Sequence, residues 1–253
     1  MDYFNINNNL SGVYAVVNSI RETLKPYAEA MEVFQKNMKG VLEVLSEETK
    51  PVRAFYILGK HQFTYWKPLS ADEVEKIITI SNINSYLAEK IDDKSFVDYE
   101  ALCDKMVQSA FLSDTNKAIL SQSIEAMNNG LYDLALVGIV TVFDGVLTAV
   151  TKDNGTNIEK RLNKIRNKLK SLTNEKWQML NEAEISVYGM YITWTEVMKD
   201  FQKFSDFKKP EKEPEDLNRH WISHGRKTTN AAKLDVCKMI NALYGLMYFG
   251  NAA

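Results

Sequence analysis

The amino-acid sequence predicts an all-α protein, and three observations support this prediction. The 253 residues include only 11 glycines and 5 prolines, so turn-forming residues are scarce. Apolar residues recur at helical spacing along most of the chain, and helix-start and helix-stop residues separate the periodic stretches. The composition, 45% hydrophobic and 25% charged, is typical of a globular protein with a substantial core.

The first part of the chain, residues 1–112, is expected to form an N-terminal helical region to which the sequence assigns no role. Residues 10–45 keep helical spacing and predict one long helix or a helix kinked at Pro26. Residues 52–66 are aromatic and β-prone. Prolines bracket them, however, so a short helix or a loop is equally consistent with the pattern.

A clear helix-start signal follows in the same region. Ser70 and Glu73 have the spacing of a capping box, in which each side chain bonds the backbone N–H of the other residue. They predict the start of a helix whose apolar face contains Val74 and Ile77. A shorter helix is expected at residues 99–111.

Residues 113–253 are expected to form a C-terminal helical bundle. A start signal at Ser113 precedes a helix that ends at Asn129-Gly130, which is a strong turn signal. Residues 132–151 are apolar almost all round, and a helix without a polar face is typical of the centre of a bundle.

Residues 158–172 form the most basic segment of the chain. Its cationic side chains outnumber the single acid and comprise Lys160, Arg161, Lys164, Arg166, Lys168 and Lys170. Such a run is either the solvated face of a helix or a cationic stripe that tracks phosphate groups, and both interpretations stay open. Because the formal net charge is −2, any nucleic-acid binding must come from a local patch of this kind.

Composition also excludes several classes of protein. Cys103 and Cys237 lie far apart and give no disulfide framework and no CxxC pair, so they are expected to be buried thiols in a reducing compartment. No basic leader and no apolar stretch of about 20 residues is evident, so we expect a cytoplasmic protein without a membrane segment. The sequence has no glycine-rich phosphate loop, no GxSxG motif and no HExxH motif.

Two more helices are expected, at residues 174–207 and 231–249, and a charged linker at 208–214 follows the first of them. After this linker comes the most informative stretch of the chain, residues 215–226. We predict a helix of about three turns here, since Pro214 suits the first helical position and Gly225 suits the position after the last one.

The predicted helix at residues 215–226 contains two of the three histidines in the chain. His220 and His224 are four residues apart and therefore share a helix face. They are either polar residues on a half-buried helix, a pair of metal ligands, or part of a phosphate-binding and acid–base site with Arg219. A metal site lacks a third ligand, because His61 and both cysteines lie in unrelated contexts, so we expect neither a metal nor a cofactor.

The segment Arg219-His220-Trp221-Ile222-Ser223-His224 resembles the Arg-x4-6-His signature of the HEPN superfamily of small helical domains. The longer phrase from Asn218 to Gly225 is similar to a bacterial and phage-associated branch of that superfamily. The resemblance covers residues 113–253 and implies a HEPN-like up-down helical bundle. It also implies a metal-independent ribonuclease of a toxin or anti-phage system, with a composite site at the cleft of a homodimer.

The resemblance implies a role for each residue of the site. His224 is the expected general acid or base, Arg219 stabilises charge on the phosphate, and His220 assists or orients. Asn218 is expected to contact a ribose or phosphate oxygen. The resemblance implies that Asp144 orients Arg219 or a histidine. The residues alone suggest instead that Asp144 pairs with a helix terminus or a basic side chain. On an ideal helix Arg219 and His224 point apart, so their convergence requires an unwound helix end or a second protomer.

The expected partners are RNA, a second copy of the chain, and an antitoxin or sensor protein. The expected RNA-binding side chains are Arg226, Lys227, Arg161, Lys164, Arg166 and Lys168. The alternative is a non-catalytic HEPN-type module for binding or dimerisation, in which Arg219 and His224 bind a nucleotide or hold the bundle together.

Overall fold

The computed structural model describes residues 50–153, 155, 160–161, 163–164, 182–203 and 213–252. Apart from Lys50, these residues belong to one unit, Pro51–Ala253. The helix expected at residues 10–45 and the basic residues Arg166 and Lys168 lie outside the described residues.

The described residues form helices and no strand, which confirms the all-α prediction. The helices are α1 (Lys50–Lys60), α2 (Ala71–Thr79), α3 (Ile83–Asp92), α4 (Tyr99–Val107), α5 (Asp114–Asn128), α6 (Tyr132–Thr151), α7 (Glu182–Phe201), α8 (Arg219–Ser223) and α9 (Lys233–Ala252). Helix α1 followed by an irregular segment shows that the aromatic stretch after Pro51 is not a strand.

Local capping explains where several of these helices begin and end. Both hydrogen bonds of the predicted capping box are present at α2: the Ser70 N–H donates to Glu73 Oε2 at 2.7 Å, and the Glu73 N–H donates to Ser70 Oγ at 3.3 Å. The Ser113 hydroxyl caps α5, which ends beside Gly130 at a φ of 76°. The predicted start and stop signals are confirmed at these positions.

Two helices organise the core. Helix α6 packs against α5, α8 and α9, and helix α9 also packs against α3, α4 and α7. The eight buried apolar side chains of α6 are Ala135, Leu136, Ile139, Val140, Val142, Phe143, Val146 and Leu147. The expectation that no apolar stretch reaches about 20 residues is wrong: among the described residues α6 alone has the length and composition of a membrane span, with a mean hydropathy of 2.0. Its packing against three other helices is that of a core helix.

The core is continuous across residue 112, the predicted boundary between the N-terminal region and the C-terminal bundle. The segment between α1 and α2 packs its aromatic side chains on α9, with the Trp66 and Tyr244 ring centroids 4.6 Å apart. The Asn241 side chain on α9 donates to the Thr64 carbonyl oxygen at 3.0 Å, so a backbone acceptor within the buried segment is satisfied. Residues on both sides of position 112 therefore share one hydrophobic core.

Candidate functional site

Helix α8 is a short helix that carries the Arg-His motif, and its apolar side chains are buried in the protein. It has five residues, and Trp221 and Ile222 are buried while His224 lies exposed at its C-cap. Gly225, at a φ of 60°, ends the helix in a Schellman motif, because the Arg226 N–H donates to the Trp221 carbonyl at 2.8 Å. The predicted stop at Gly225 is confirmed.

The predicted start of this helix at Pro214 is wrong, and a buried side chain explains why. The Leu217 N–H donates to Gln62 Oε1 at 2.6 Å, and Gln62 Nε2 donates to the Leu217 carbonyl at 2.9 Å. Both backbone groups of Leu217 are thereby bonded outside any helix, so α8 begins only at Arg219. Gln62 is a positioning residue that sequence periodicity does not reveal, since it follows a helix end 155 residues earlier.

Replacing Gln62 with alanine is expected to lower the free energy of unfolding by roughly 2–4 kcal/mol, because it leaves two buried backbone groups of Leu217 without partners. Urea unfolding of the full chain measures this loss. The matched control is Gln122→Ala on the exposed face of α5, which should change stability by no more than about 0.5 kcal/mol. Equal effects of the two substitutions would contradict the assigned role of Gln62.

Asn218 has a structural role instead of the predicted contact with substrate. Its side-chain oxygen accepts the Trp221 N–H at 3.3 Å and so caps α8. Its amide nitrogen donates to the Asp200 carbonyl at 3.1 Å and to the Lys203 carbonyl at 2.8 Å. The residue is 3% exposed, so its amide is committed within the chain and ties α8 to the end of α7.

Arg219 and Asp144 form a bidentate ion pair between α8 and α6. Arg219 Nε donates to Asp144 Oδ1 at 3.0 Å, and Nη2 donates to Oδ2. The two side chains are 19% and 34% exposed, so the pair is only partly screened by solvent. The opposite edge of the guanidinium, at Nη1, makes no hydrogen bond with the described residues, and the side chain as a whole is 19% exposed. Asp144 therefore fixes Arg219 while leaving donors available.

The two histidines lie against each other beside this ion pair. The His220 and His224 rings are stacked, with centroids 5.4 Å apart and planes inclined by 24°. Burial lowers the pKa of His220, and the neighbouring Arg219 and His224 side chains lower it further. Near neutral pH His220 is therefore a neutral imidazole, whereas His224 is exposed to solvent.

This environment predicts how stability depends on pH. Because the pKa of His220 is lower in the folded protein, the unfolded chain binds more protons below its own pKa of about 6.5. The stability due to neutral His220 is complete above about pH 6.5 and is lost as the pH falls toward the folded-state pKa. Replacing His220 with glutamine is expected to reduce the loss of unfolding free energy between about pH 7 and pH 5.

Urea unfolding at each pH measures this effect. Burial also lowers the pKa of His61, so His61→Gln should act in the same direction, and the double variant should show the sum of the two effects. A His220→Gln protein with the pH dependence of the native chain would contradict the prediction.

The predicted cationic stripe is only partly a surface feature. Arg161 is 5% exposed and donates to the Asp144 carbonyl at 3.3 Å, to the Gly155 carbonyl at 3.5 Å and to the Thr148 hydroxyl. It therefore packs against α6 and is not a surface contact for RNA. Lys164 is exposed but ion-paired with Asp153.

The remaining predicted RNA-binding side chains lie just after α8. Arg226 is exposed, whereas Lys227 is half-buried with its Nζ 3.5 Å from an Asp235 oxygen on α9. Of this pair only Arg226 presents its side chain at the surface next to the histidines.

Local charge at this site differs in sign from that of the whole chain. Three cationic side chains, Arg161, Lys164 and Arg219, accompany two carboxylates, Asp144 and Asp153, so the described cluster has one net positive charge before the histidines titrate. The chain as a whole has a formal net charge of −2. The cluster can therefore attract an anion that the protein as a whole repels.

No protein-family model, curated protein or solved structure matches this chain. Any function must therefore be argued from the chemistry of its own residues. In the described part of the chain, no group of three His, Cys, Asp or Glu side chains is arranged to hold a metal ion. Both cysteines are free and buried, and burial raises the pKa of each thiol to about 12, so neither is an activated nucleophile.

Proposed function

We propose that this protein is a metal-independent endoribonuclease of HEPN type that acts in a toxin or anti-phage system. The observation that supports the proposal best is Arg219, fixed on one edge by Asp144 and open on the other, beside the stacked His220 and His224. A guanidinium edge matches two oxygens of a phosphate group, and imidazole transfers protons near neutral pH. The cellular role follows from the resemblance of the motif.

The proposed reaction is an internal transfer within RNA. The ribose 2′ oxygen attacks the adjacent phosphorus, the bond from phosphorus to the 5′ oxygen breaks, and the products are a cyclic phosphate end and a 5′-hydroxyl end. A base takes the 2′ proton and an acid protonates the leaving oxygen. His224 transfers a proton, His220 orients it by stacking, and the open edge of Arg219 stabilises the negative charge of the phosphorane.

One copy of the chain offers one exposed histidine, whereas the reaction uses both a base and an acid. A second copy supplies the other imidazole. Helix α6 has exposed apolar side chains at Leu134 and Val137, which are 64% and 44% exposed. Val137 and Asp144 are seven residues apart and so lie on the same helix face. We place the contact with the second copy on this face.

Replacing Leu134 with lysine is expected to convert a homodimer into a monomer, because it puts an ammonium group into an apolar contact. Light scattering during gel filtration measures the mass of each form. The control is Val52→Lys, which changes another exposed aliphatic side chain, 40% exposed on α1, and should leave the dimer intact. A native chain that is monomeric at micromolar concentration would remove the second copy from the mechanism.

Purified full-length protein incubated with total RNA and excess EDTA provides the test of the proposed function. Fragments that end in cyclic phosphate and begin with a 5′-hydroxyl are expected. RNA that remains intact in the presence of folded protein would overturn the nuclease proposal.

A second function is favoured by the internal contacts of Asn218 and Arg219, which join α8 to α7 and to α6. In this case the protein is a non-catalytic HEPN-type module for binding or dimerisation. Intact RNA together with a stable dimer would identify this alternative.

A further inference from the structure

Arg161 is a buried cation whose hydrogen bonds to the described residues all go to neutral acceptors. Two carbonyl oxygens and one hydroxyl accept its Nη hydrogens, and its buried Nε has no hydrogen-bond partner in the described part of the chain. No carboxylate oxygen of a described residue lies within salt-bridge distance of it, although the residue is only 5% exposed. A buried guanidinium without a bonded anion is costly, so its charge requires compensation.

Among the described residues, the two carboxylates that act on Arg161 are already used by other cations. Asp144 bonds both of its oxygens to Arg219, and Asp153 pairs with Lys164. Arg161 and Arg219 contact the same residue, Asp144, one through its backbone and the other through its side chain. The one Asp144 carboxylate therefore offsets charge on both guanidiniums, and the charge of Arg161 also acts on Arg219.

We propose that Arg161 and Arg219 form a binding site for one tetrahedral oxyanion, a phosphate group. Arg219 contacts the anion through its open edge, and Arg161 acts through space as a buried positive charge that Asp144 only partly offsets. This assignment rests on the proposed function for its biological ligand, the phosphodiester of RNA, and it makes Arg161 a positioning residue of the site. A free phosphate ion has the same chemistry.

The test measures binding without cleavage. Calorimetry with sodium phosphate, at an ionic strength held constant with sodium chloride, gives the affinity of the full-length protein for the free ion. A 2′-O-methyl oligoribonucleotide, which lacks the attacking hydroxyl, gives the affinity for the phosphodiester. The variants are Arg161→Met, which removes the charge, and Arg161→Lys, which keeps it. The control is Lys164→Met, which removes an exposed charge that is already paired with Asp153.

The native chain is expected to bind phosphate in a saturable way. Arg161→Met should weaken binding of both ligands about tenfold, because a unit charge is lost at short range in a partly buried site. Arg161→Lys and Lys164→Met should each stay within about threefold of the native affinity. If only the oligonucleotide binds, the site is specific for the phosphodiester of RNA. If both ligands bind, free phosphate is also expected to inhibit RNA binding at this site.

Two results would overturn the assignment. The first is a native chain that shows no saturable binding of either ligand, a result that does not depend on the folding of any variant. The second is a folded Arg161→Met protein with native affinity, or a loss in Lys164→Met equal to that in Arg161→Met. If the protein binds phosphate but does not cleave RNA, the nuclease proposal is wrong and the assignment of the oxyanion site still holds.

Discussion

Replacing His224 with alanine is expected to abolish RNA cleavage while the protein stays folded. Loss of a positioned acid or base slows such reactions by about 10²–10⁴, and at the upper end no product is visible in an ordinary assay. His224 is exposed at the C-cap of α8, so its truncation should change the free energy of unfolding by no more than about 0.5 kcal/mol. Initial rates on a labelled RNA and a urea unfolding curve of the same preparation measure both effects.

Ser223 is the matched control for this substitution, because it is an exposed polar residue of the same helix. Ser223→Ala should cleave RNA at the native rate. Undiminished cleavage by the His224→Ala protein would show that the imidazole takes no part in the reaction, and any nuclease activity would then have another origin.

Replacing Asp144 with alanine is expected to reduce both stability and cleavage. Arg219 loses its bidentate partner, and Arg161 loses the larger of the two offsetting charges that described residues supply, so the repulsion between the two guanidiniums is less offset. Breaking a fully buried pair costs about 3–5 kcal/mol; partial exposure of both side chains reduces this to roughly 2 kcal/mol. Cleavage should fall about 100-fold, since a mobile Arg219 no longer meets the phosphate in a fixed orientation.

The control for Asp144 is Asp114→Ala at the start of α5. The Asp114 carboxylate is fully exposed and lies 3.8 Å from Lys117, so its loss should leave both the unfolding midpoint and cleavage nearly unchanged. Asp144→Ala protein that unfolds like the native chain would mean that the ion pair contributes no stability.

Local signals account for the parts of the fold that the sequence predicts well. The caps at Ser70 and Ser113 and the stop at Gly130 depend on residues within a few positions of each other. The bounds of α6 also agree with the apolar run, because a helix buried on most sides needs apolar residues all round. Helix α3 is not among the predicted elements, although Asn82 caps it and Ile83, Leu87 and Ile91 keep helical spacing.

Long-range contacts account for the features that the sequence does not predict. The start of α8 is set by Gln62, far away in the chain, which overrides the local preference of Pro214. In the sequence, Arg161 is one of a run of basic residues that predicts a cationic surface stripe. In the structure it is buried, because its side chain packs against the C-terminal part of α6. The motif itself identifies Arg219 and both histidines, but the partner of Arg219 lies 75 residues away and follows only from the resemblance.

Among the described helices, α6 is the most apolar, and it is synthesised before α9, which packs against it. About 80 residues separate the end of α6 from the start of α9, so a ribosome needs roughly 4 to 16 s to reach α9 after finishing α6. During this time α6, with a mean hydropathy of 2.0, lacks the helix that packs against its buried face. A translation product that stops before α9 is therefore expected to aggregate.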